Sequence, residues 1–179
     1  MRQLICGLII CGVLPFAVAA DKPASATKRF NLIGGQVMVI QWSAGWADIA
    51  APAGVPDGSV AFSGADPSKM RVLIVPLPPN PNFTGDDDSL RILARNMARE
   101  LEQSGGQVDH EQQPIEGPDV RGFYVKGVDP KPKPGEFTFI YAGPLSIASR
   151  PYVFQILWNE GGEKAANTAL AALKSVRIQ

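Results

Sequence analysis

The side chains best suited to proton transfer stand together once in this sequence, at Asp109-His110-Glu111, and His110 is the only histidine among 179 residues. A histidine acting as general base needs a nucleophile within reach and an acid to orient its ring. Strand alternation sends Asp109 and Glu111 to the face opposite His110. The triplet therefore reads as an exposed strand histidine rather than a proton relay. A second acidic group, Asp86-Asp87-Asp88, has the ligand chemistry for calcium. Calcium loops space their acids at alternate positions and close on a distant bidentate glutamate. Three contiguous aspartates before a helical pattern read instead as an N-cap and favourable charge at the positive helix end.

Other chemistries find less support. Cys6 and Cys11 both fall in the first twenty residues, so the chain beyond them has no thiol for catalysis, disulfide exchange or metal binding. One histidine and no cysteine leave no structural zinc site. No Gly-x-Ser-x-Gly elbow and no phosphate-cradling glycine loop is present. The reading is of a chain without catalytic residues, cofactor or metal. The alternative function is a carboxylate-dependent hydrolase, with Asp109 or Glu111 brought to Glu116 or Asp119, or a small-ligand binder whose pocket uses Trp46.

Binding chemistry is better represented. Trp46 stands between Gly45 and Ala47 in an Ala-, Gly- and Pro-rich loop and is the expected partly exposed anchor. Phe83 ends the segment Pro-Leu-Pro-Pro-Asn-Pro-Asn-Phe, and Lys131 and Lys133 alternate with prolines in Asp129-Pro-Lys-Pro-Lys-Pro-Gly135. Both segments are stiff and lose little entropy on binding. Trp42 and Trp158 are assigned to the core.

The elements that must position these residues follow from periodicity. Between Ser89 and Ser104, Leu90, Leu93, Ala94, Met97, Ala98 and Leu101 take the spacing of one helical face, with Gly105-Gly106 as the stop. A second helix is predicted over Glu163–Lys174. Strands are predicted over residues 36–42, 58–63, 71–77, 108–114, 121–127, 137–143 and 151–159. Residues 21–35 read as a polar lead-in ending at Gly34-Gly35, Ser43–Asp57 as a loop, and Ser175–Gln179 as a tail. Short connections favour antiparallel hairpins. Runs such as Arg71–Leu77 and Tyr152–Trp158 are apolar on both parities, which predicts a sheet covered on both faces.

Residues 1–20 have the basic start (Arg2), short apolar run and small-residue end of a cleavable signal peptide, with processing after Ala20. Removing them leaves 159 residues, 21–179, as one globular domain with 16 basic and 17 acidic residues. That near-neutral balance gives no reason to expect nucleic acid or an anionic membrane as partner. No segment of the mature chain is long and apolar enough to span a membrane.

The order of elements resembles the PsbP-like superfamily, which includes the photosystem extrinsic subunit, a Ran-binding nuclear-import factor and DcrB-type envelope proteins. The resemblance lies in the Ile40–Asp48 segment IQWSAGWAD, the amphipathic helix Leu90–Leu101, the run of hairpin strands, the late strand PYVFQILWNE and the closing LAALKSVRI. It covers most of the mature chain and implies an α/β (α+β) fold, an α/β/α sandwich around a largely antiparallel central sheet. Its members mostly bind other proteins, and it carries over no functional residue. The expectation is a non-catalytic periplasmic or secreted accessory protein, an inhibitor or immunity-type partner of another envelope or secreted protein.

Overall fold

The structure, a computed structural model, describes residues 25–32 and 35–179. The expected signal segment and Gly34 of the first turn lie outside them. In chain order the described elements are β1 (Ser25–Asn31), β2 (Val37–Ser43), β3 (Ala47–Asp48), β4 (Val60–Ser63), β5 (Met70–Pro76), α1 (Asp87–Gln103), β6 (Gln107–Glu116), β7 (Val120–Val128), β8 (Phe139–Ile147), β9 (Arg150–Trp158), α2 (Glu163–Lys174) and β10 (Arg177–Ile178).

Helix α1 begins where Asp86 accepts a 2.8 Å hydrogen bond from the Ser89 amide, satisfying one of the free donors of the first turn. It ends at Ser104, followed by Gly105 at φ +95°, the left-handed stop that the glycine pair predicts. Leu90, Ala94 and Ala98 form its buried stripe. In α2, Ala166, Ala169, Leu170, Ala172 and Leu173 are buried, and the alanines let the helix lie close to the sheet.

Every strand pairing among the described residues is antiparallel. Seven strands form one sheet in the order β3-β4-β5-β9-β8-β7-β6, and β1, β2 and β10 form a second. One face of the large sheet, carrying Phe62, Val72, Ile74, Phe154 and Ile156, shares a single core with α2 and with Met38, Ile40 and Trp42 of β2. On the other face α1 packs against β6, β7 and β8. This is the α/β/α arrangement expected, with the small sheet sharing the α2 layer.

Four readings of the sequence are corrected. The polar lead-in contains β1, which pairs residue for residue with β2 and sets Phe30 edge-on to Trp42 at 5.7 Å. The 43–57 loop contains the two-residue β3, and the tail contains β10. The large sheet is also not equally covered on both faces. Along β9, Tyr152, Phe154, Ile156 and Trp158 are buried, whereas Val153, Gln155 and Leu157 are only half-buried. The physical reason is the placement of α1 over β6–β8, beside β9 rather than above it.

Candidate proline cleft

The cleft is built where β5 runs out. Pro76 lies opposite Tyr152 of β9, and the Leu77 amide donates to the Pro151 carbonyl at 3.0 Å. Beyond that point the prolines deny the sheet further donors, so the chain leaves it. It turns at Asn80, whose side-chain oxygen accepts from the Asn82 amide at 2.9 Å and whose carbonyl accepts from the Phe83 amide at 3.0 Å. The turn carries Phe83 back toward α1, where its half-buried ring packs on Leu90, Ala94 and Phe123. The Arg91 guanidinium lies over the same Phe123 ring at 4.0 Å.

Between this loop and the start of β9 lies a hollow of about 470 Å³. Pro76, Pro79, Pro81 and Phe83 wall one side, and Ser149, Arg150 and Pro151 the other. Tyr152 lies at its buried floor. Burial raises the Tyr152 phenol above its ordinary pKa, with the Arg150 charge acting weakly in the opposite direction. The hydroxyl therefore stays protonated at neutral pH. Rigid prolines and aromatic rings offer shape and apolar area to an incoming side chain, the properties that anchor protein contacts. A second, shallower hollow of about 510 Å³ lies beside the same β8–β9 turn, with Asp119, Arg121, Ser146 and Ala148 in its lining.

The residues marked in the sequence are dispersed rather than gathered. Trp46 is half-buried, stacked on Phe62 at 5.6 Å and tilted against Trp42 at 6.3 Å, so it extends the core cluster with one side of its ring. Lys131 and Lys133 are exposed on a loop tied to itself. Asp129 accepts from the Lys131 amide at 2.8 Å and Glu136 from the Lys133 amide at 2.9 Å. Only Phe83 joins the cleft. Tyr152 and the Ala148-Ser149 turn were not singled out from sequence. The Pro-Tyr opening of the β9 run was the available signal for the former, and no glycine marked the turn.

His110 is exposed and meets Glu102 of α1 at 2.8 Å. The β6–β7 register shifts between Asp109 and Gln113, so simple alternation does not hold through the triplet. Of the acids that a hydrolase would pair, Asp109 and Glu116 are held apart. They are seven residues apart on β6, roughly 23 Å at strand rise. Asp119 is engaged by the Ile178 amide at 3.0 Å. Paired-carboxylate chemistry needs separations of roughly 5–10 Å, so the Asp109–Glu116 pairing is excluded by the length of the strand. Asp86 serves as the cap, and Asp87 meets Arg121 at 3.7 Å on the surface. No group of three or more His, Cys, Asp or Glu side chains able to hold a metal occurs among the described residues. No helix among them is long and apolar enough to cross a membrane.

The fold is PsbP-like. It matches the solution structure of cyanobacterial PsbP (CyanoP) from Synechocystis sp. PCC 6803 with a TM-score of 0.53 and 12% identity, over 92% of this chain and 99% of that one. No family model and no curated protein matches the sequence. At this identity the likeness establishes the architecture, and function has to be argued from the surface.

Proposed function

We propose that the chain is an exported, non-catalytic accessory protein that binds another envelope or secreted protein through the proline cleft. The observation that carries the reading is the cleft itself. A rigid loop of prolines ending in Phe83 faces Pro151 over the buried Tyr152, at the end of a sheet anchored by a large core. Such a surface meets a partner with little ordering cost. The apolar character of the hollow favours an occupant that presents an extended apolar segment, with Phe83 as anchor.

The signal-like start of the sequence supports export, and the PsbP-like architecture supports an accessory role. An inhibitor or immunity-type relationship is the specific form proposed. Trp46, Lys131 and Lys133 belong to the proposal as secondary contacts.

The test is capture of a partner from the envelope fraction by tagged wild-type protein and by Pro81→Glu, a substitution on the exposed rim. A stoichiometric partner held by the wild type and lost with Pro81→Glu is the expected result. Capture that is indifferent to Pro81→Glu and to Phe83→Ala removes the cleft from the account.

A further inference from the structure

On the α1 side of the large sheet, five residues lie directly opposite one another across five strands: Val108, Gly127, Ile140, Leu157 and Arg71. The first four line a cavity of about 170 Å³, which Leu101 at the end of α1 and Phe137 also line. Gly127 keeps part of this space open. A Cβ there would come 2.8 Å from Ile140 Cγ2 and 3.7 Å from Leu101 Cδ1.

Arg71 ends the row. Its guanidinium carbon lies 5.6 Å from the centre of the Phe137 ring, which places the charge beside the cavity wall. Its Nε is buried and lacks a hydrogen-bond partner. None of the ion pairs among the described residues involves Arg71. A buried guanidinium nitrogen without an acceptor is costly, and the planar guanidinium fork matches a carboxylate better than any other common anion except phosphate. An apolar cavity of about 150 Å³ accommodates benzene, and this partly open hollow of about 170 Å³ has room for one ring or a branched group of similar size.

We infer that the cavity and Arg71 form a binding site for a small organic carboxylate, the anion resting on Arg71 and a ring-sized apolar group occupying the cavity. The site stands at the Arg71–Leu157 end of β5 and β9, whereas the proline cleft stands at their Pro76–Tyr152 end. The two are independent.

Benzoate is the probe, with benzamide as its neutral counterpart of nearly the same shape. Titration of the purified protein, read by amide chemical shifts and calorimetry, is expected to give saturable benzoate binding centred on Gly127, Ile140 and Leu157. Benzamide is expected to bind about tenfold more weakly or worse, because it lacks the charge that Arg71 recognises. Arg71→Met is expected to remove this preference and Arg71→Lys to keep part of it. Leu101→Phe, which fills the cavity, is expected to abolish binding with Arg71 in place. Because the benzoate–benzamide comparison uses wild-type protein, it stands even if a variant fails to fold. Absence of saturable benzoate shifts, equal binding of benzamide, or unchanged benzoate affinity in folded Arg71→Met would overturn the inference.

Discussion

Ala148 and Ser149 are consecutive residues that both hold left-handed backbone, at φ +49° and +62°, in the two-residue turn joining β8 to β9. That turn fits the right-handed twist of a hairpin and is normally supplied by Asn-Gly. For a residue with a Cβ each such conformation costs about 1–2 kcal/mol. Ser149→Gly should remove the strain at one position while adding chain entropy to the unfolded state. The expected net gain is about 0.5–1 kcal/mol in denaturant unfolding. An unchanged or lowered midpoint would mean that the strain is relieved by contacts in the neighbouring cleft.

Asp86 connects helix formation to pH. Its carboxyl is held below the ordinary value of 3.8, chiefly by the Ser89 amide and then by the Thr84 hydroxyl. Asp66 is lowered in the same way, first by the Ser68 hydroxyl and then by its amide. Folded values below the unfolded one mean that this stabilisation is complete above the ordinary carboxylate range. It is lost as pH falls through 3.8 and on through the depressed folded values. Thermal melts of Asp86→Asn and Asp66→Asn should therefore show a flatter acid limb than the wild type. Parallel acid limbs would contradict the assignment.

At the alkaline end the signs reverse. Burial raises the phenols of Tyr124, Tyr141 and Tyr152, and at Tyr141 the neighbouring Tyr124 and Glu163 add to the effect. Their neutral forms are favoured in the folded chain. Stability is full below the unfolded value of 10.0 and is lost as pH rises through the higher folded values. Tyrosinate absorbance should lag behind that of free tyrosine and then rise together with loss of the circular-dichroism signal.

Gly143 of β8 lies where β7 leaves no room for a side chain. A Cβ at that position would lie 1.9 Å from the Phe123 carbonyl oxygen and 2.8 Å from Tyr124 Cα, both of them backbone atoms that cannot rotate away. Gly143→Ala should cost roughly 3 kcal/mol or more through displacement of β7 from β8. The denaturant midpoint reads the effect directly, and a near-neutral result would show that the two strands move apart without cost.

Much of this architecture was legible because it is written locally. Leu90, Ala94 and Ala98 with the Asp86 cap define α1, Glu163–Lys174 is α2 as expected, and the β4 to β9 hairpin strands lie within four residues of their predicted ends. What was not legible depends on distant partners. β1 is a strand because β2 is available to pair with its polar sequence, and β3 and β10 have two residues each. Trp46 reads as a partly exposed loop anchor and is half-buried, but the sequence does not name Phe62 as the ring beneath it. The cleft was half legible. Phe83 and its prolines were visible as a stiff segment, but the opposite wall at Ser149–Tyr152 comes from β9, far along the chain, which only the sheet brings beside β5.

The most direct test of the central claim compares partner capture by wild-type protein, Pro81→Glu and the double variant Lys131→Glu/Lys133→Glu, with folding of each checked by its melt. One stoichiometric partner from the envelope fraction is expected, retained by the lysine variant and lost by Pro81→Glu. A partner retained by Pro81→Glu and lost by the lysine variant would move the binding surface from the proline cleft to the 129–135 loop and contradict the account.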